Sequence, residues 1–258
     1  MPTRPRLSVF LMMHKGVLYK TVNFKNPVYV GDPINAVKIF SDFRADELFL
    51  VDIDCSKNKN EPDYEMLKSI AKYAQMPLCY GGGINNTSQI KTILSMGYEK
   101  VLISSAAINN FQLINNAVSK FGGQSIAICI DVKFDPVRKI YKAYTINGTI
   151  ESPITLDEIL NKVLVSGAGE IIINSIDRDG TCYGYDLNLM SFLAPKINLP
   201  LVFLGGAGKI NHLNDLLSNK MVNAAAAGTI WTFIGKNKSV LINYLPPEKR
   251  VENEIFNP

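Results

Sequence analysis

The chain carries one segment twice. Tyr80-Gly81-Gly82-Gly83-Ile84 and Leu204-Gly205-Gly206-Ala207-Gly208 both end an apolar run in glycines, and Gly206 follows Gly83 by 123 residues. The same offset takes Glu47 to Glu170, Asp54 to Asp177, Asp63 to Asp186, Pro77 to Pro200, Leu78 to Leu201 and Ala107 to Ile230. One gapless register over some sixty residues, joining carboxylates, prolines and glycines, means a half-domain written twice. Each half has a strand that ends where backbone N–H groups can approach an anion.

Eight short apolar runs read as strands: 7–13, 48–53, 78–80, 101–104, 125–130, 171–174, 201–204 and 224–227. Several are apolar on both faces, as buried parallel strands must be. Helical patterns over 32–43, 64–74, 87–96, 111–121, 155–166, 187–194 and 211–217 lie between them. Eight strand–helix units in 258 residues predict a (β/α)₈ TIM barrel, as one domain over 1–258 with halves of about 1–122 and 123–245. A doubly wound open sheet explains the twofold repeat less well, because half-barrels close naturally on each other.

Composition sets limits on function. Hydrophobic residues make up 47% and charged ones 19%, which suits a globular chain with a sizeable core. A net charge of +4 is too mild to imply nucleic acid. Cys55, Cys79, Cys129 and Cys182 form no Cys-x-x-Cys pair, so no structural zinc, no other metal and no cofactor is expected, and a cytoplasmic setting is the default. The cysteines are expected to be buried and inert. The apolar stretches are strand-sized, so no membrane span is expected. His212 is expected at a helix start.

Function in such a barrel sits at the C-terminal strand ends. Those ends carry Lys20, Asp52, Asp54, Gly82, Gly83, Ser104, Ser105, Asp131, Asn174, Asp177, Asp179, Gly180, Gly205, Gly206, Gly208, Gly228 and Thr229. The glycines after strand 7 with Gly228 and Thr229 fit the usual barrel phosphate site, and Gly82, Gly83, Ser104 and Ser105 supply a second copy opposite. Asp179 and Gly180 join the phosphate set; Asp52, Asn174 and Asp177 are candidate substrate contacts. Two facing anion sites suggest a long ligand charged at both ends. Tight strand–helix turns are the plainer explanation of the same glycines. Asp131 closes a buried strand and is a candidate general acid/base. Asp131 follows Met12 by 119 residues, and methionine at the paired position cannot transfer a proton.

Several motifs together resemble the HisF family, the cyclase subunit of imidazole glycerol phosphate synthase. They include Gly31-Asp32-Pro33, Asp46-Glu47-Leu48, Gly81-Gly82-Gly83-Ile84, Ile130-Asp131-Val132-Lys133, Gly167-Ala168-Gly169-Glu170, Ser175-Ile176-Asp177-Arg178-Asp179-Gly180-Thr181 and Gly205-Gly206-Ala207-Gly208. The resemblance implies a duplicated barrel, a bisphosphate-type ligand and a separate HisH-like glutaminase subunit whose ammonia passes through the barrel. It makes Arg6, Glu47, Lys100 and Glu170 an ammonia gate, Lys20 the active-site lysine, and Asp131 one of two catalytic aspartates; Met12 stands at the other. Because ring closure needs an acid and a base together, the loss at Met12 points to a changed acceptor. The chain resembles more closely the HisF-like proteins of surface-polysaccharide (O-antigen) biosynthesis, associated with amidation or amidination of a nucleotide-linked or lipid-linked sugar. The alternatives are a cyclase of histidine biosynthesis that tolerates Met12, and a subunit that only conducts ammonia or activates its partner.

Overall fold

The computed structural model describes residues 4–58, 60–235 and 238–250. Eight parallel strands form the barrel. We number them β1 (Arg6–His14), β2 (Glu47–Asp52), β3 (Leu78–Gly81), β4 (Lys100–Ile103), β5 (Ile126–Asp135), β6 (Glu170–Ser175), β7 (Leu201–Leu204) and β8 (Ala224–Ala227). Each pairs with the next, and β8 pairs back onto β1, with Arg6 opposite Ala224 and Val9 opposite Ala227. Closure excludes an open sheet. The eight expected strands are the eight barrel strands, each within a few residues of its expected bounds.

The duplication is written into the sheet register. Met12 lies opposite Val51 and Asp131 opposite Asn174. Leu48 lies opposite Leu78 and Ile171 opposite Leu201, the second pair 123 residues after the first. The register does not hold to the end. Gly81 faces Leu102, whereas Leu204 faces Ala226, so the offset in β8 is 124. Ala107 therefore corresponds to Trp231 rather than Ile230, and both are fully buried.

Sequence explains where the helices start. Asp32, with Pro33 at the first helical position, caps Pro33–Asp42. Asp63 and Asp186, matched by the repeat, each accept a backbone N–H at the start of Tyr64–Ala71 and Leu187–Leu193. Asn86 and Gln89 form a capping box on Thr87–Ser95. These matched carboxylates are caps rather than chemistry. Apolar faces of the helices pack on the outward strand residues, such as Leu7, Leu48, Ile128 and Ile171, and make the main core. Inward residues form a separate, smaller cluster of Phe49, Cys79, Leu102, Ala127, Cys129, Ile172, Val202, Leu204, Ala224 and Ala226, with Phe10 and Val51 beside it. Period-two alternation on parallel strands separates the two layers.

Two β-hairpins decorate the mouth. Val17–Val22 pairs antiparallel with β1 and with Lys25–Gly31, while Ile140–Thr145 folds back on β5. Their anchors are also duplicated. Lys15 N donates to Asp54 Oδ2 at 2.7 Å, and Phe134 N donates to Asp177 Oδ2 at 2.8 Å. No helix among the described residues is long and apolar enough to cross a membrane.

Candidate functional site

The barrel interior is organised in levels from bottom to top. At the N-terminal end, Arg6 (β1), Glu47 (β2), Lys100 (β4) and Glu170 (β6) meet. Arg6 Nη1 lies 3.1 Å from Glu47, and Lys100 Nζ lies 3.2 Å from both Glu47 and Glu170. Arg6 Nη2 closes the ring on Glu170, and Ser8 Oγ donates to Glu47 Oε1. Burial opposes the charge on Arg6 and Lys100, but Glu47 and Glu170 outweigh it and hold both cations above their usual pKa. The four residues therefore form an alternating, mutually neutralising ring. Glu47 and Glu170 are repeat partners; Arg6 and Lys100 are not.

Above the ring the lumen is apolar: Phe10 stacks on Phe49 at 5.7 Å, and Ala224 and Ala226 of β8 share the inward cluster with Ala127 and Cys129 of β5. The lumen opens into a chamber of about 490 Å³ at the C-terminal mouth. Of the expected site residues, Lys20, Asp52, Gly82, Gly83, Ser104, Ser105, Asp131, Asn174, Asp179 and Gly228 line it. A second cavity of about 350 Å³ takes Lys20, Gly180 and Thr229. Lys20 joins the two.

Asp131 sits at the centre of this mouth. Burial pushes its carboxyl up to about 6; the Asn174 amide, donating at 2.8 Å, pulls the other way, and Asp179 adds to the rise. That value suits a group that must both hold and release a proton near neutral pH. Lys20 Nζ is bound to Asp179 Oδ1 at 2.5 Å, and Thr21 Oγ1 donates to Asp179 Oδ2 at 3.1 Å. Lys20 is thus held by the hairpin on one side and the β6 loop on the other. Gly228 makes room for it: a Cβ there would stand 2.7 Å from Phe10 O and 3.3 Å from Lys20 Cε.

The remaining expected residues fall elsewhere. Asp177 lies outside both cavity linings, its carboxylate on Phe134 N. Gly205, Gly206 and Gly208 also lie outside both. A Cβ at Gly206 would meet Gly184 O at 2.1 Å, and one at Gly208 would meet Cys182 Cβ at 2.4 Å. Gly82 is placed the same way in the first half, 2.4 Å from Asp52 O by that measure, at φ +125°. The glycine clusters thus let the loops after β2 and β6 pack onto the strand ends, and Gly82 and Gly83 also line the chamber. Ser105 Oγ accepts from Ile146 N at 2.9 Å, tying the second hairpin to the rim. His212 accepts from Gly208 N near the start of Ile210–Leu217. Burial pushes the Cys55 thiol up to about 12 and those of Cys79 and Cys129 well above their usual range, which keeps them inert.

Sequence reasoning missed the rest of the apolar side of the chamber around Met12, made by Phe10, Phe24 and Val51, and the polar rim at Ser56, Asn85 and Asn147. Inward alternation on β1 and β2 is the signal for Phe10 and Val51. Nothing local marks Phe24 or Asn147, which reach the mouth from hairpin turns.

A closed (β/α)₈ barrel with a charged ring at one end and a polar chamber at the other defines the class. The family described as "Histidine biosynthesis protein" matches residues 10–235. A Vibrio vulnificus (strain YJ016) protein named "Putative imidazole glycerol phosphate synthase subunit hisF3" is 44% identical over 244 residues, 95% of this chain and 94% of that one. A Leptospira borgpetersenii protein with the corresponding HisF description is 41% identical over 93% of this chain and 95% of its own. The "Imidazole glycerol phosphate synthase subunit HisF" of Lactococcus lactis subsp. cremoris (strain MG1363) is 32% identical over 97% of this chain and 98% of its own. The chain belongs to the histidine biosynthesis protein family, and within it is a HisF-like synthase subunit.

Proposed function

We propose that this chain is the cyclase-type subunit of a glutamine amidotransferase complex of the imidazole glycerol phosphate synthase kind. A separate glutaminase subunit docks below the barrel and releases ammonia there. The ammonia passes the ring of Arg6, Glu47, Lys100 and Glu170 and reaches the chamber. An apolar lumen suits neutral ammonia and disfavours the ammonium ion, whose desolvation is costly. Asp131 transfers protons and Lys20 holds the developing charge. One phosphate of the ligand lies against Gly82, Gly83, Ser104 and Ser105. The other lies toward Gly180, Gly228 and Thr229, with Asp179, Gly205, Gly206 and Gly208 supporting that end.

The observation that carries this proposal is Asp131: a carboxylate raised by burial to about 6, in the chamber at the head of a lumen closed below by charges. The names of the relatives favour the imidazole reaction over a polysaccharide role. The test is turnover of the imidazole-pathway substrate with ammonium salt. Turnover abolished by Asp131→Asn supports the proposal; turnover that survives that change refutes it.

Met12 supports a second reading, amidation or amidination of a nucleotide-linked or lipid-linked sugar in surface-polysaccharide synthesis. A methionine leaves Asp131 without a partner carboxylate across the mouth. On that reading the imidazole substrate is not turned over, and the complex with its glutaminase supplies ammonia to a sugar acceptor.

A further inference from the structure

The two walls of the mouth differ at matched register positions. On β1 and β2 the chamber is lined by Phe10, Met12 and Val51, with Asp52 at the end of β2; on β5 and β6 the pair equivalent to Met12 and Val51 is Asp131 and Asn174. Asn174 is 6% exposed, and its Nδ2 donates to Asp131 Oδ1 at 2.8 Å. An ionised carboxylate only accepts hydrogen bonds, so the amide nitrogen must face Asp131 and the amide oxygen must face away. That oxygen is buried and has no hydrogen-bond partner among the described residues. Ser104 Oγ is also buried without a partner. Buried polar atoms in native structures are almost always satisfied, and both residues line the chamber.

We propose that Asn174 is a positioning and specificity-determining residue. Its amide nitrogen fixes Asp131 through Oδ1 and leaves Oδ2 for the substrate proton. Its amide oxygen accepts a hydrogen bond from an N–H or O–H group of the substrate, while Phe10, Met12 and Val51 cover the substrate's less polar face. The ligand class is therefore a phosphorylated molecule with a donor-bearing edge and an apolar face. Inorganic phosphate alone engages neither feature. This inference rests on the chamber being the substrate site, but its first test needs no substrate.

That test is the carboxyl titration of Asp131, followed by ¹³C NMR on the full chain labelled at aspartate. Asn174→Leu removes the amide and should raise the Asp131 pKa by about one unit. Asn174→Asp, nearly isosteric, puts a second carboxylate beside the first and should raise it further. An unchanged titration in Asn174→Asp would overturn the positioning role. The second test is calorimetric binding of ribose 5-phosphate and of inorganic phosphate. Wild type should bind ribose 5-phosphate more tightly, and Asn174→Leu should weaken it about 5- to 10-fold while changing inorganic phosphate less than about 2-fold. Equal effects on the two, or no preference in wild type, would overturn the donor-reading role. If the titration shifts as stated but imidazole-pathway turnover is absent, the proposed reaction falls and the positioning role stands.

Discussion

Met12 and Asp131 occupy the same place in the two half-barrels. Met12 lies opposite Val51, Asp131 lies opposite Asn174, and both line the chamber. At this matched position one half presents a carboxylate and the other an apolar thioether. If the imidazole reaction is the native one, Met12→Asp should raise ammonium-dependent turnover by about 10²-fold, the ordinary contribution of one positioned acid or base. A steady-state assay of the variant checks this. No gain, alongside no wild-type turnover, would favour the sugar acceptor.

Asp131 also sets a pH dependence of stability. Its carboxyl is raised by burial to about 6, against about 3.9 in an unfolded chain. Below about pH 4 both states hold the proton and nothing is lost. Between about 4 and 6 the folded state keeps a proton that the unfolded state has released, so stability falls as pH rises. By pH 7 the loss amounts to about 2–3 kcal/mol. Asp131→Asn should therefore be more stable than wild type at pH 7.5 by about that amount, and close to it at pH 4. Urea unfolding at the two pH values measures the difference; a gap that does not change with pH would refute the assignment.

Most of the barrel was legible because buried parallel strands and amphipathic helices leave strong periodic signals. Even Ala224–Ala227, a poor strand sequence by propensity, reads as a strand because it is a short apolar run. The hairpins were not legible. Val17–Val22 and Ile140–Thr145 mix polar and apolar residues, and their fixing comes from distant groups such as Asp54, Asp177 and Ser105. Strand-end position was legible for the chamber-lining Lys20, Asp131 and Asn174; the packing contacts of the strand-end residues were not. Gly206 lets Gly184 O approach its Cα, and Asp177 accepts from Phe134 N of the second hairpin. Such roles depend on which loop arrives opposite, and no local pattern encodes that.

The packing role of the glycines can be checked by a matched pair. Gly206 and Gly97 both have positive φ, +107° and +100°. A Cβ at Gly206 would stand 2.1 Å from Gly184 O, whereas one at Gly97 meets nothing within 4 Å. Gly97→Ala should lose only backbone strain, about 1–2 kcal/mol. Gly206→Ala should lose clearly more, because the β6 loop must move. Equal unfolding midpoints for the two variants would contradict this.

The ring at the barrel bottom makes the sharpest prediction, because its two cations are not equivalent. The Lys100 side chain is 11% exposed and touches both glutamates; Arg6 is 31% exposed. Glu47 and Glu170 are 4% and 5% exposed, so neither can relax into water. Removing Lys100 leaves two buried carboxylates on one partly solvated guanidinium. Lys100→Met should therefore cost about 3–5 kcal/mol, the usual penalty for an orphaned buried charge. Arg6→Met should cost less, because water already screens part of its interaction. Chemical denaturation ranks the two. The same variants separate structure from conduction: in a complex with a glutaminase, Lys100→Met should impair glutamine-dependent turnover more than ammonium-dependent turnover. Equal loss of both activities would assign the ring to stability alone.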